Sequence, residues 1–220
     1  MKFKISKLII VLNKLKKMIE YYLNRWIRDF REFIKYPFWS TSSIIGPDNH
    51  IYKRRRIRNL NLDRKYSNFI ETGTFYGQMI NAVYKNFSKI LSVELFDELF
   101  ELNQKIYKND SKVQVFHGDS ALLLGKMIDT VKNDIIFWLD GHYSGQGTGM
   151  GEQTSPIIFE LDIIKSKNIT NCCILIDDVR LFNGKEGYPT IEATINKLKE
   201  IDFKCTPYVD KDCLVAIIKK

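Results

Sequence analysis

An α/β domain with a mainly parallel sheet, preceded by a basic helical extension, is the architecture this sequence predicts. Three observations carry it. From Tyr66 onward, short β-rich apolar runs alternate with helical stretches, the pattern of parallel strands joined by helical crossovers. Before Tyr66, apolar residues recur every three or four positions among Lys and Arg, which is helical spacing. The 220 residues suit one domain of ordinary size plus about 60 more.

In the extension the stripe runs Ile5, Leu8, Leu12, Leu15, Ile19, Tyr22 and Trp26, widened by Ile9, Leu23, Ile27, Phe30 and Ile34. Lys4, Lys14, Lys17, Arg25, Arg28 and Arg31 fall mostly off it. Pro37 is predicted to end this helix at or before Tyr36, because the residue preceding a proline is pushed out of helical geometry. Thr41 to Asp48 has loop composition, and the basic cluster Lys53, Arg54, Arg55, Arg56 and Arg58 follows. Residues 1–60 are thus read as extension and linker, and 61–220 as the domain. Strands are predicted at 68–71, 90–95, 113–117, 135–140, 172–177, 203–209 and 214–218. Helices are predicted at 78–86, 97–108, 120–130, 156–167 and 189–201. The last two strands are too close for a helical crossover and should form an antiparallel hairpin.

The net charge of +8 is concentrated at one end. Residues 1–58 hold 15 Lys and Arg against 4 Asp and Glu, whereas the remainder holds 19 against 22. The domain itself is therefore slightly acidic, which excludes a general affinity for nucleic acid; only the extension could meet an acidic partner. Its apolar stripe needs a cover: the chain's own domain, a second copy in a homo-oligomer, or an anionic membrane met by residues 1–36. The run Leu8–Leu12 is far shorter than the roughly 20 residues of a membrane span, and no secretory signal is recognisable. Cys172, Cys173, Cys205 and Cys213 lie in or beside apolar runs without metal-type spacing. They read as buried reduced thiols in a reducing, cytoplasmic compartment, at most at the inner face of a membrane.

In a parallel sheet, ligands bind beyond the carboxyl ends of the strands. Each of the first five predicted strands ends in an acid: Glu71, Glu94, Asp119, Asp140 and Asp177. The first leads into Glu71-Thr72-Gly73-Thr74-Phe75-Tyr76-Gly77, whose glycines permit a tight turn and a close approach of backbone to ligand. A dinucleotide loop would carry a middle glycine where Phe75 stands, and Glu71 would repel a pyrophosphate. A cofactor with a positive charge and a ribose suits the acids better, with Glu94 accepting the ribose hydroxyls. S-adenosylmethionine is such a cofactor.

Glu71, Gly73 and Gly77, then Glu94, then Gly118-Asp119-Ser120 resemble the successive motifs of class I S-adenosylmethionine-dependent methyltransferases, over residues 66–218. The resemblance implies a Rossmann-like, doubly wound, seven-stranded sheet of order 3-2-1-4-5-7-6, with strand 7 antiparallel. It also implies that Glu71, Gly73, Thr74, Gly77, Glu94, Asp119, Ser120 and Asp140 bind the cofactor. Leu139-Asp140-Gly141-His142-Tyr143-Ser144-Gly145, the stretch from Ser155 to Glu160, and Leu175 to Phe182 are similar to macrocin-type, metal-dependent sugar O-methyltransferases. By that likeness Asp140, Asp177 and Asp178 hold a divalent metal, Mg2+ suiting an all-oxygen set. His142 stands where another Asp is common in that type; it and Asp140 are the candidate catalytic residues.

Five of the twelve glycines fall between Gly141 and Gly151, the composition of a loop that could close over substrate. Glu160 reads equally as a salt-bridged structural acid or as support for the site, and Arg180 as a counter-ion for the acids. The expected activity is methyl transfer from S-adenosylmethionine to a hydroxyl of a sugar, in a glycan or its precursor, as in polysaccharide biosynthesis. The alternatives are another alkyl transfer from the same cofactor, and a non-catalytic module recruited through its N-terminal helix.

Overall fold

The computed structural model describes residues 2–41, 46–141 and 155–220. They form two compact units: residues 1–42 with 49–51, and residues 43–48 with 52–220. The first unit is the helix α1, Lys2–Thr41. Pro37 does not end it but lies inside it. A proline inside a helix loses its own N–H bond and crowds the carbonyl four residues before it, yet here the helix continues to Thr41. Within this unit Glu32 accepts from the His50 backbone N–H at 3.1 Å. No helix among the described residues is long and apolar enough to cross a membrane.

The second unit is the predicted α/β sheet. Its strands are β1 Asn68–Thr72, β2 Lys89–Glu94, β3 Val113–His117, β4 Ile135–Leu139, β5 Asn171–Ile176, β6 Tyr208–Asp210 and β7 Cys213–Lys219. Their order is 3-2-1-4-5-7-6, and β7 is antiparallel to both neighbours. Between them run α3 Gln78–Val83, α4 Asp97–Tyr107, α5 Ser120–Val131, α6 Ile157–Ser166 and α7 Ile191–Ile201. The predicted strand 203–209 shrinks to β6 because Pro207 has no N–H to give to a ladder; Cys205 instead turns back, its N–H donating to the Asp202 carbonyl.

The strands are apolar throughout because both faces are covered. Alternation sends Ile70, Leu91, Ile135, Phe137, Cys172 and Ile174 to one face, where they pack with Leu124, Leu161 and Leu198 of α5, α6 and α7. Phe69, Ile90, Ile136, Trp138, Cys173 and Leu175 go to the other, with Ile80 of α3 and Tyr107 of α4. Ile57 joins that second face. It comes from α2, His50–Arg64, a helix where a linker was predicted. The basic cluster of residues 53–58 therefore sits on an element packed against the sheet. All four cysteines are buried and free, as expected.

Candidate active site

The register brings the strand ends level. Thr72 of β1 lies beside Val93 of β2 and Leu139 of β4, and Leu139 lies beside Ile176 of β5. The connecting loops are stitched together just beyond. Asp140 N–H donates to the Thr72 carbonyl and hydroxyl at 3.2 and 3.1 Å, and Asp177 N–H to the Leu139 carbonyl at 3.1 Å. Gly73 shows why the first loop needs glycine: its φ is +84°, and a Cβ there would lie 2.6 Å from the Asp140 carbonyl oxygen.

Glu94 organises the loop after β1. Its Oε2 accepts from Phe75 N–H at 2.7 Å and its Oε1 from Phe96 N–H at 2.9 Å. Phe75 itself has a positive φ of 50°, and its carbonyl accepts from Asn103 Nδ2 at 2.6 Å. The glycine loop is thus pinned from both sides. Glu71 is buried, accepts from Ser92 Oγ at 2.6 Å, and Ser92 in turn contacts Thr74 Oγ1 at 2.6 Å. Burial pushes the Glu71 carboxyl well above the usual range, with the Asp140 and Glu94 charges adding to the effect against the Ser92 hydrogen bond. Burial raises Glu94 too, against its backbone donors. Asp119 caps α5, accepting from Ala121 N–H at 2.8 Å, and the adjoining Ser120 is buried.

S-adenosylmethionine passes the test of the donor set. Glu94 accepts backbone hydrogen bonds from Phe75, Phe96 and Leu95, and a carboxylate's four lone-pair sites leave it room to accept a ribose hydroxyl.

Beyond the ends of β4 and β5 lies a small open cleft, lined by Asp140, Gly141, Ser155, Glu160, Asp177 and Phe182. Glu160 comes from the first turn of α6, is buried, and its Oε1 has no hydrogen-bond partner among the described residues. Burial lifts its pKa to about 7, with Asp119 and Asp140 raising it further and the Ser120 and Thr72 hydroxyls opposing. Gly141 lies against it: a Cβ there would come within 3.4 Å of Glu160 Oε1 and 3.1 Å of Thr72 Oγ1. His142 and the glycine-rich stretch after it fall in 142–154, outside the described residues.

The expected magnesium centre does not fit the residues present. Asp177 is buried in an ion pair with Lys53 of α2. Asp178 pairs with Arg180 Nη1 at 2.5 Å, and Arg180 also binds Asp212. Among the described residues no group of three His, Cys, Asp or Glu is placed to hold a metal. Arg180 is the counter-ion the sequence suggested. Lys53 and the orphaned Glu160 oxygen were not foreseen. Lys53 hides in a basic run, and the buried positions of α2 are Lys53, Arg56, Ile57 and Asn61, a face that no apolar periodicity marks.

The sequence matches no protein-family model and no curated protein. Solved structures share the fold. An O-methyltransferase from Bacillus cereus in complex with SAH aligns with a TM-score of 0.57 at 13% identity, over 80% of this chain and 84% of that one. The SAH-bound Podospora anserina methyltransferase PaMTH1 aligns with a TM-score of 0.52 at 14% identity, over 86% and 88%. The O-methyltransferase TomG of Streptomyces achromogenes, involved in tomaymycin synthesis and complexed with SAM, gives 0.52 at 12% identity, over 80% and 82%. The sheet unit has the α/β fold of these methyltransferases.

Proposed function

We propose that the chain is an S-adenosylmethionine-dependent O-methyltransferase whose acceptor is a sugar hydroxyl of a glycan or its precursor. The observation that carries this reading is Glu94, fixed at the end of β2 by backbone N–H groups. The fold shared with methyltransferases, three of them bound to SAH or SAM, supports it. The sugar acceptor is supported by the resemblance of the segments around Asp140 and Asp177 to macrocin-type enzymes.

The sulfonium supplies an already activated methyl group. This chain has to bind, align and deprotonate. Glu94 holds the ribose, Asp119 and Ser120 border the adenine, and the Gly73–Gly77 loop lets backbone approach the methionine part. The cleft fixes the acceptor hydroxyl in line with the methyl group. Glu160, titrating near neutrality, and Asp140 are the described carboxylates positioned to take its proton.

Calorimetric titration should show binding of S-adenosylhomocysteine and none of NAD. Glu94→Ala should weaken that binding by about 1.5–3 kcal/mol, the worth of hydrogen bonds to a charged group. Tight NAD binding would end this reading. Hydroxyl-dependent release of S-adenosylhomocysteine separates an enzyme from a non-catalytic module, and the mass of the product separates methyl from other alkyl transfer.

We further propose that α1 docks on an anionic membrane surface. Ile19, Tyr22, Leu23, Trp26, Phe30, Phe33 and Ile34 are all at least half exposed. At 100° per residue they share one side of the helix, while Arg28, Arg31 and Lys35 lie on the other. With the stripe sunk at the level of the acyl chains, the basic side would be drawn to acidic headgroups. The full chain should float with anionic vesicles and not with neutral ones. Flotation that survives deletion of residues 1–41 would overturn this assignment.

A further inference from the structure

Three carboxylates on neighbouring strand ends would repel one another unless a cation stood among them, and the structure supplies one from an element outside the strand-end motifs. Lys53 reaches in from α2 with its side chain 9% exposed, and its partner Asp177 is fully buried. The ammonium lies 5.7 Å from the centroid of the Trp138 ring, within cation–π range. Asp178 is engaged by Arg180. Asp177 Oδ1 has no hydrogen-bond partner among the described residues, and Asp177 lines the cleft.

We propose that Lys53 is the built-in cation of this cleft, standing in for a divalent ion, so that the acidic cluster is complete without metal. Lys53 is then a positioning residue. It fixes one oxygen of Asp177, leaving the other to accept a hydrogen bond from a hydroxyl in the cleft. A lysine delivers one positive charge covalently, where a magnesium ion would bring two and demand near-octahedral oxygen ligation. The inference concerns the cleft and stands apart from the choice of cofactor: metal titration tests the one and S-adenosylhomocysteine titration the other.

The test uses the full chain and the metals alone. Calorimetric titration of the wild type with Mg2+ and Mn2+ should show no binding, and its thermal midpoint should be the same in millimolar Mg2+ and in excess EDTA. Lys53→Met leaves the buried carboxylates without their cation, so its midpoint should fall and rise again with Mg2+ or Mn2+, as expected when a ligand binds only the folded state. Lys53→Arg keeps the charge and should remain insensitive to metal. If Lys53→Met does not fold, the double variant Lys53→Met/Asp177→Asn, which removes both charges, should fold and bind S-adenosylhomocysteine within about threefold of the wild type, a difference under 1 kcal/mol. Failure of that double variant to recover would overturn the proposal. So would tight Mn2+ binding by the wild type that Asp177→Asn abolishes.

Discussion

Glu160 and Gly73 show how single residues set this site. Glu160 is a buried carboxyl with a pKa of about 7 against an ordinary value of 4.5. Its folded-state pKa is the higher one, so its contribution to stability is full below about pH 4.5 and is lost as pH rises to about 7. At about 1.4 kcal/mol per unit the loss is about 3.5 kcal/mol. Urea denaturation at a series of pH values should therefore show the wild type losing stability relative to Glu160→Gln across that window, with a constant difference above it. Parallel curves would mean that Glu160 ionises normally. Gly73 combines a positive φ with a Cβ position 2.6 Å from a backbone oxygen, and neither atom belongs to a flexible side chain. Gly73→Ala should cost at least about 2 kcal/mol and reduce S-adenosylhomocysteine binding, because the loop and the Asp140 turn must separate. The glycine was visible in the sequence as a turn former. That it abuts the turn after β4 was not, since the two positions are 67 residues apart and meet only through the β1–β4 pairing.

At the scale of elements, helices with an apolar stripe and a capping residue were the legible ones. In α7 the Thr190 hydroxyl accepts from Ala193 N–H at 3.1 Å, and buried Thr194, Leu198 and Ile201 repeat at helical spacing. Thr190→Ala should lower stability by about 1 kcal/mol, measurable in the denaturation midpoint, with cofactor affinity unchanged. A change in affinity would show that α7 is coupled to the site. The opposite case is α2. Its inward residues are mostly charged or polar, and their burial is made tolerable by carboxylates outside the helix, two of them far along the chain. Arg56 donates to Asp48 at 2.6 Å and to Asp210 at 2.7 Å, and Lys53 meets Asp177. Read alone, the segment resembles a solvated basic face, because a buried charge is affordable only where its counter-charge is already fixed. Arg56→Ala should accordingly be costly, at about 3–5 kcal/mol, since it leaves Asp48 buried with its ion pair broken.

At the scale of the whole molecule, the sheet unit holds both core clusters, so deleting residues 1–41 should leave its cooperative unfolding and its S-adenosylhomocysteine affinity intact. A truncated chain that melts broadly or loses the ligand would show that the units depend on one another. The alternation of strand and helix, the covered faces of the sheet, the closing hairpin, and the acids waiting at strand ends were all determined by local sequence. They follow from side-chain period, turn chemistry and the short reach of the backbone between successive elements. Tertiary structure alone decided which acids would share a cleft, which would be spent on caps and ion pairs, and that a lysine from the supposed linker would enter the acidic cluster. Those outcomes turn on burial and charge pairing between residues as far apart as Lys53 and Asp177, and such pairings leave no period in the chain from which they could be read.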